Sequence, residues 1–178
     1  MNPPILIDTE DLLLHPFREE EMKRFDSLSR DIHSLFNQSQ ALTFLPHKKL
    51  KDVQQAEALL QTALMHQSNG SSQWYFITDK AYQRTIGMIE LITPQTAKQH
   101  YRLKQYPYFL EFCLCSQYAG KGVMSSLLPK LVRKLKQKGI SEIGAVVHPH
   151  NLAAINVLKK SGIQRQTRFD DIRNLYHN

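Results

Sequence analysis

The sequence predicts an α/β fold in a single domain that spans residues 1–178. Short runs rich in β-branched and aromatic residues alternate with amphipathic segments of helical period. A loop with two glycines joins a strong strand pattern to the clearest helix pattern. No internal repeat, low-complexity segment or long Gly/Ser/Pro linker divides the chain, and 178 residues are enough for one sizeable core.

The predicted strands are apolar runs bounded by charged or turn-forming residues. Such runs lie at residues 5–14, 74–78, 85–92, 108–115 and 143–147, with one or two more in 163–178. The second and third runs are separated by only a short polar stretch, so they predict a hairpin. The run at 108–115 is largely apolar on both faces, as a central strand should be.

The predicted helices are recognised by apolar residues three and four positions apart. They cover residues 19–29, 51–67, 123–138 and 151–161, and residues 30–42 continue the first as helix or loop. Gly139 ends the third helix, whereas Pro129 lies inside it and predicts a kink or a late restart. Residues 93–107 form a polar connection whose form the pattern does not determine.

Charge and composition restrict the partner and the compartment. The formal net charge of +7 suits an anionic partner, without distinguishing a nucleotide cofactor, a nucleic acid or an acidic protein. Residues 1–17 carry acidic residues and no basic region before an apolar core, so no secretory signal is predicted. No apolar run reaches the ~18 residues of a membrane span. The prediction is a cytoplasmic protein that does not enter the membrane.

The two cysteines, Cys113 and Cys115, are two residues apart in an apolar run, so they share one face of a strand. Neighbouring positions on one face are poorly placed for a disulfide. A lone Cys-x-Cys pair is also a weak metal signal. We therefore expect two free thiols and no metal site.

The segment Gln117-Tyr118-Ala119-Gly120-Lys121-Gly122 lies between the strand at 108–115 and the helix that follows. Glycines let the backbone turn tightly and approach a ligand closely, and the amides at a helix N-terminus form an anion site. A diphosphate is the natural occupant. The P-loop pattern and the dinucleotide fingerprint are both absent. The plainer alternative is a strand-to-helix turn softened by glycine.

In this context the segment resembles the GNAT acetyltransferase superfamily, whose motif Gln/Arg-x-x-Gly-x-Gly/Ala lies between a strand and a helix. Residues 9–17 are similar to the family opening Thr-x-Arg-Leu-x-Leu-Arg-Pro. Residues 151–163 are similar to its block Asn-x-x-Ser-x-x-Val-x-x-Lys-x-Gly-Phe. The form Gly120-Lys121-Gly122-Val123-Met124 is close to the branch that acetylates ribosomal proteins. These blocks cover most of the chain in the family's order.

The resemblance implies a mostly antiparallel mixed sheet of six to seven strands, splayed at the central strands and flanked by about four helices. It also implies acetyl-CoA as co-substrate, with the pantetheine arm along the backbone near Cys113 to Cys115 and the diphosphate on the amides of Ala119 to Val123. Asn151 is expected to contact the pantetheine end, or only to cap its helix. The implied coenzyme-binding residues are Cys113, Leu114, Cys115, Gln117, Tyr118, Ala119, Gly120, Lys121, Gly122, Val123, Met124, Asn151, Asn156 and Lys159.

Several positions depart from the family pattern. The two arginines of the opening motif are replaced by Asp11 and His15. The serine of the Asn-x-x-Ser block is Ala154, and the phenylalanine after its glycine is Ile163. These departures affect the assignment of the substrate more than the binding of the coenzyme.

Acetylation of an amine needs a group that removes a proton from nitrogen. Glu111 is the first candidate base because it interrupts the apolar central strand, and Glu90 on the preceding strand is the second. His148 is the third. Tyr118 and Tyr176 are candidate acids for the leaving thiolate, and Ser125 is a candidate donor to the coenzyme; packing or a surface position is the alternative for each residue.

The resemblance predicts an N-acetyltransferase acting on a primary amine, with a protein N-terminal α-amine as the favoured acceptor. One alternative is an acetyltransferase that acts on a small-molecule amine. Another is a non-catalytic acyl-CoA-binding module, which the alanine at position 154 in place of serine leaves open. Direct nucleic-acid binding is not expected, since no RNP, helix-turn-helix or zinc-finger signature is present. A homodimer is left open.

Overall fold

The computed structural model describes residues 4–178, which form one eight-stranded sheet in the order β1-β2-β3-β4-β5-β6-β8-β7. The strands are β1 Ile7–Asp8, β2 Leu12–Pro16, β3 Ser72–Asp79, β4 Arg84–Ile92, β5 Tyr108–Leu114, β6 Ile143–Val147, β7 Arg165–Arg168 and β8 Asn174–His177. The α-helices are α1 Phe25–Gln38, α2 Val53–Ser68, α3 Pro94–His100, α4 Val123–Gln137 and α5 Leu152–Lys160. Short 3₁₀ helices occupy Glu19–Arg24, Gln40–Thr43, Pro46–Lys48 and Ser116–Tyr118.

The strands β1 to β5 form a continuous antiparallel ladder. The predicted hairpin is confirmed as β3 and β4. The single first strand predicted over residues 5–14 is wrong, because the chain turns back after Asp8 and makes two short strands. In that turn Thr9 Oγ1 accepts a hydrogen bond from the Leu12 amide at 3.0 Å, which stabilises the reversal.

The two faces of the sheet carry separate helices and separate apolar cores. One core contains Phe17, Phe76 and Met88 with residues of α1 and α2, and we call this face of the sheet the α1/α2 face. The other core contains Ile77 and Leu110 with residues of α4 and α5. The two cores insulate the middle of the sheet from solvent on both sides.

The helix predicted over residues 19–29 begins as a 3₁₀ helix and becomes α-helical only at Phe25. The undetermined connection at 93–107 contains α3. Thr93 caps this helix through its side chain, and Pro94 occupies the first turn. A Thr-Pro pair in front of a short helix is a recognised start signal, so the sequence did contain the information.

The helix α4 runs without interruption from Val123 to Gln137, so the late restart predicted from Pro129 is wrong. Proline removes one hydrogen bond from the interior of a helix. Here Leu127, Leu128 and Leu131 are fully buried on both sides of Pro129. Their burial holds the backbone in the helix across the missing bond.

The sheet contains one strand more than predicted because the first predicted strand is divided into β1 and β2, and α3 brings the described α-helices to five. The predicted splay at the centre is present. The strands β5 and β6 run parallel and pair only through Tyr108 with Ile143 and Phe109 with Gly144. Beyond these pairs the strands diverge, and β6 continues into a small antiparallel unit with β8 and β7.

Within residues 4–178 no helix combines the length and the apolar character that a membrane crossing requires. In the same part of the chain, His, Cys, Asp and Glu side chains form no cluster of three or more that could hold a metal ion.

Candidate active site

The space where β5 and β6 diverge is the β5–β6 gap, and it is lined on one side by backbone groups of β5. The Tyr108 amide donates to Glu142 O on the β6 side, whereas the Cys115 amide donates to Ile86 O next to β4. Because backbone groups alternate between the two sides of a strand, those of Phe112 and Leu114 are directed toward the gap. The described ladder gives them no partner in β6.

The backbone groups of Cys113 and Cys115 are therefore directed toward β4, whereas those of Leu114 are directed toward the gap. The Cys115 amide is used by Ile86, and the Cys115 carbonyl accepts from the Tyr118 amide at 2.9 Å. The expected backbone contact of Cys115 with a ligand is not available in this arrangement. Both thiols are free, and burial raises the pKa of Cys113 to about 12.

The loop after β5 presents a helix N-terminus to solvent. Gly120 and Gly122 both have positive φ, +73° and +76°, and Gly122 is the N-cap of α4 without a side-chain cap. Helix geometry leaves the first amides of α4 without an intrahelical partner. The Ala119 amide, by contrast, donates to Ser116 O at 3.1 Å, so the free donors begin after Ala119.

The aromatic residue of this loop is fixed by an acidic residue at the end of β3. The Tyr118 hydroxyl donates to Asp79 Oδ2 at 2.7 Å. Desolvation, together with this hydrogen bond, raises the pKa of Tyr118 to about 12. Lys121 Nζ lies 5.8 Å from the centroid of the Tyr118 ring, which holds a cation beside the loop. A Tyr118 phenol that is bound to Asp79 is poorly placed to act as an acid for a thiolate.

A cavity of about 450 Å³ opens beside the loop on the α1/α2 face. Its lining combines α1, the start of β4 and the end of β5: Ser34, Gln38, Tyr82, Arg84, Thr85, Ile86, Cys115, Gln117 and Tyr118. Gln117 is exposed.

On the far side of the gap, Asn151 follows β6 and begins α5. Its Oδ1 accepts from the Ala154 amide at 3.2 Å, so helix capping is established. Asn156 and Lys159 are exposed on the same helix. Ser125 is half-buried in the first turn of α4, and Tyr176 is buried in the core on the α4/α5 side, with β6 between its strand and β5.

Two carboxylates face each other across β4 and β5. Glu90 and Glu111 are directly paired in register, so their side chains share one face of the sheet. This is the α1/α2 face, because Cys113, two residues from Glu111, packs in that core. Like charges in this position repel each other. We call Glu90 and Glu111 the carboxylate pair.

The repulsion is offset by Lys48, whose Nζ forms an ion pair with Glu111 Oε2. About one third of each side chain is exposed, 30% for Lys48 and 33% for Glu111. Burial lowers the pKa of Lys48, and the charge of Glu90 opposes this shift. Lys48 was absent from the predicted site, since a single lysine in a polar loop carries no sequence signal for a partner 63 residues away.

A family model for the acetyltransferase (GNAT) domain matches residues 11–164 of this sequence. The chain belongs to the GNAT family. This explains why a splayed sheet, a glycine-bearing loop and an α-helical N-terminus occur in this order. No protein of curated function matches the sequence significantly.

Solved structures with the same fold as this GNAT domain are distant in sequence. A putative ribosomal-protein-serine acetyltransferase from Vibrio cholerae is similar with a TM-score of 0.70 and 14% identity, over 100% of this chain and 99% of that chain. The ribosomal L7/L12 α-N-protein acetyltransferase RimL in complex with coenzyme A gives 0.68 and 14%, over 98% and 97%. The microcin C7 self-immunity acetyltransferase MccE, in complex with acetyl-CoA and AMP, gives 0.67 and 13%, over 96% and 93%.

Residues 40–48, part of the connection between α1 and α2, contact both sides of the gap, and we call them the bridging segment. Lys48 at its end contacts Glu111 on β5, and Phe44 stacks on His148 after β6 with ring centroids 5.3 Å apart. The His150 amide donates to His148 Nδ1 at 3.2 Å, so a neutral His148 carries its proton on Nε2. The Nδ1 lone pair of His148 is therefore already engaged in a hydrogen bond within its own loop.

The residues on both sides of the gap fit a coenzyme with an amide-bearing arm and a diphosphate. The unpaired backbone of Phe112 and Leu114 offers the pattern of an open strand edge to an amide-bearing chain. The amides at the start of α4 offer a concave donor set for an anion. The space beside Gly122 is open, since a Cβ at this position would have no other atom within 4 Å.

Proposed function

We propose that this GNAT domain transfers the acetyl group of acetyl-CoA to a primary amine, and that the acceptor is a protein N-terminal α-amine. The observation that carries the proposal is the carboxylate pair beside the β5–β6 gap. It already holds a primary ammonium, that of Lys48. An acceptor ammonium that enters from the α1/α2 side meets the same charges when the Lys48 side chain moves aside.

The coenzyme is proposed to bind to main-chain groups of β5 and to the N-terminal ends of α4 and α5. The backbone of Leu114 and Phe112 pairs with the pantetheine arm, and the amides from Gly120 to Met124 hold the diphosphate. Lys121 adds a positive charge at the rim of the loop. Asn151, Asn156 and Lys159 border the coenzyme from α5.

Acetyl-CoA supplies the thioester, and the residues of the chain supply the proton acceptor and the polar surroundings. Glu111 accepts the proton that the attacking nitrogen loses, either directly or through water. Glu90 raises the negative charge around that nitrogen and helps to bind the ammonium form. Backbone amides of β5 along the gap stabilise the charge on the thioester oxygen.

Two considerations favour an N-terminal acceptor. An α-amine has a pKa of about 7.7–8.0, so a substantial fraction is neutral near pH 7.5, whereas a free lysine needs a stronger base. Glu111, about one third exposed, is a carboxylate within reach of an amine that enters from the α1/α2 side. The similar structures include acetyltransferases of ribosomal proteins, which is a likeness of fold.

The test combines coenzyme binding with a matched panel of acceptors. Saturation at about 100 times the dissociation constant of acetyl-CoA should stabilise the protein by ~2.7 kcal/mol, read as a rise in melting temperature. Release of coenzyme A thiol is then measured with peptides that have a free N-terminus, the same peptides blocked by N-terminal acetylation, and small amines. We expect turnover only with the free N-termini. Turnover restricted to small amines would reject the protein acceptor, and no stabilisation by acetyl-CoA would reject the whole proposal.

A further inference from the structure

Lys48 is a primary amine of the chain itself that lies inside the candidate active site. It ends the 3₁₀ helix Pro46–Lys48 in the bridging segment and reaches Glu111, a strand residue 63 positions away. Its neighbour Lys49 is exposed and has no carboxylate partner among the described ion pairs. Of two adjacent lysines, one is thus partly buried and ion-paired, and the other is exposed to solvent.

The surroundings of Lys48 are those that an acetyl acceptor requires. Its ammonium is paired with Glu111, which is the proposed base, and it feels the charge of Glu90 on the neighbouring strand. Burial lowers the pKa of Lys48, which increases the fraction of neutral amine at a given pH. A proton acceptor and a partly desolvated nitrogen are therefore already in contact.

The nitrogen also lies close to the proposed path of the coenzyme. A small cavity of about 20 Å³ is lined by Lys48, Glu111, Phe112 and Cys113 together with residues of α1, β4 and the connection after α1. The backbone of Phe112 is directed into the β5–β6 gap. One residue of β5 therefore borders both the gap and the cavity that Lys48 lines.

We propose that Lys48 is an acetylation site of this protein, modified by its own active site. The inference rests on the proposed acetyl-CoA-dependent function. The neutral Lys48 nitrogen forms a bond with the carbonyl carbon of the acetyl group, and the carbon–sulfur bond of the thioester breaks. The electron pair leaves with the sulfur, and the proton lost by nitrogen passes through Glu111 to the coenzyme A thiolate. The products are N-acetyl-Lys48 and coenzyme A.

Acetylation removes the positive charge that is paired with Glu111 and attracted by Glu90. The bridging segment then loses its ion pair with β5, and the carboxylate pair is free to bind another cation. Self-acetylation thus converts a site that is filled by its own lysine into one that is open to an external amine. The effect on peptide turnover should be an initial lag that disappears in protein acetylated beforehand.

The experiment incubates the full chain with isotopically labelled acetyl-CoA and follows the peptide that contains Lys48 and Lys49 by mass spectrometry. We expect one labelled acetyl group on Lys48 and little on Lys49, at a rate per molecule that does not change with protein concentration. Lys48→Arg should abolish the labelling, and Lys49→Arg should leave it unchanged. Glu111→Gln should slow it about 10²-fold or more, because the base is lost.

The results that would overturn the self-acetylation differ from those that would overturn the proposed function. Peptide turnover without label on Lys48 would overturn the self-acetylation and leave the proposed function intact. Equal labelling of both lysines, equal labelling of urea-unfolded protein, or a rate per molecule that rises with protein concentration would also overturn it. No stabilisation by acetyl-CoA and no turnover of any amine would remove the proposed function itself, and the inference with it.

Discussion

The two sides of the β5–β6 gap are built from different parts of the polypeptide. The side toward α4 is made of backbone: the edge of β5, two glycines with positive φ and the first amides of a helix. The side toward α1 and α2 is made of side chains: Glu90, Glu111 and Lys48. The hydrogen-bonding groups of the first side belong to the main chain and do not depend on which side chains are present. Those of the second side are lost when a single residue is substituted.

Under the proposed function, one side binds the coenzyme and the other takes part in proton transfer. A backbone surface can hold a long coenzyme but cannot remove a proton at neutral pH, because its amides do not titrate there. The carboxylate pair can take part in proton transfer but has little surface to offer to a coenzyme. Substitutions on the two sides should therefore affect different measured constants.

The largest effect is expected from Glu111→Gln. If Glu111 is the base, kcat for the acceptor peptide should fall about 10²–10⁴-fold, since that is the usual contribution of general base catalysis. The dissociation constant of acetyl-CoA should remain within about twofold, because Glu111 belongs to the side-chain side. The measurements are steady-state kinetics and calorimetric titration.

Glu90→Gln is the matched control, as the same charge is removed from the paired position on β4. It should raise the KM for the amine more than it lowers kcat. If kcat instead fell in Glu90→Gln and was retained in Glu111→Gln, Glu90 would be the base and Glu111 the residue that binds the ammonium.

The second prediction compares Gly144→Ala with Gly87→Ala, one on each part of the sheet. A Cβ at Gly144 would lie 2.9 Å from Tyr176 O and 3.1 Å from Pro107 Cγ, so it would separate β6 from β8. A Cβ at Gly87 would lie 2.8 Å from Leu114 Cδ1 and 3.0 Å from Cys113 O, on the β4 side of β5. Overpacking of this kind costs about 1–3 kcal/mol.

Chemical denaturation should show a loss of stability for both variants, because a Cβ at either position lies 3.0 Å or less from a backbone carbonyl oxygen. Only Gly87→Ala should weaken the binding of acetyl-CoA, since it displaces Leu114. Equal dissociation constants in the two variants would mean that the Leu114 edge does not carry the pantetheine arm.

The same contrast explains what the sequence could predict. The glycine spacing at Gly120 and Gly122, the strand before it and the amphipathic helix after it are local patterns, and they located the backbone side of the gap. The family resemblance added the central splay, which no local pattern contains. Thr93 and Pro94 show that a short helix can be missed even when its cap is present in the sequence.

The side-chain side was predicted only in part. Glu111 and Glu90 were identified because a carboxylate is unusual in an apolar strand. Their direct register required the β4–β5 pairing, and Lys48 required the path of the bridging segment over the gap. These are contacts between residues far apart in sequence, and amphipathic periodicity carries no information about them. The same holds for the Tyr118 contact with Asp79.

The third prediction tests the loop with Gly122→Ala and uses Gly139→Ala as its control. Both glycines have positive φ, +76° and +86°, and at both a Cβ would meet open space. An alanine in this conformation costs about 1–2 kcal/mol. In Gly122→Ala the free loop can relieve this cost by leaving the positive-φ conformation, and binding must then restore it, so the affinity for acetyl-CoA should fall about tenfold. At Gly139, away from the loop, the cost should appear only in stability. Calorimetry and thermal melting separate the two, and an unchanged affinity in Gly122→Ala would remove the α4 N-terminus from the coenzyme site.

The smallest effect is expected from Tyr118→Phe, which removes a hydroxyl that is directed away from the gap, toward Asp79 at the end of β3. The hydroxyl donates to Asp79, and this hydrogen bond lowers the pKa of Asp79 against the effect of its desolvation. Its loss should reduce the free energy of unfolding by about 1 kcal/mol at neutral pH. A carboxylate with a lowered pKa in the folded state stabilises the protein above its ordinary pKa, and this contribution is lost as the pH falls through the folded value. The difference between the two proteins should therefore be full at pH 7 and vanish in acid.

Tyr82→Phe is the control, because Tyr82 is 73% exposed and its hydroxyl has no comparable acceptor in the described part of the chain. We expect kcat of Tyr118→Phe to stay within about twofold of the parent, since its phenol is bound to Asp79 and not directed at the gap. A fall in kcat of about 10²-fold, with stability unchanged, would instead assign Tyr118 the transfer of a proton to the leaving thiolate. The loop would then contribute a titrating side chain, and the division between a backbone side and a side-chain side would no longer hold.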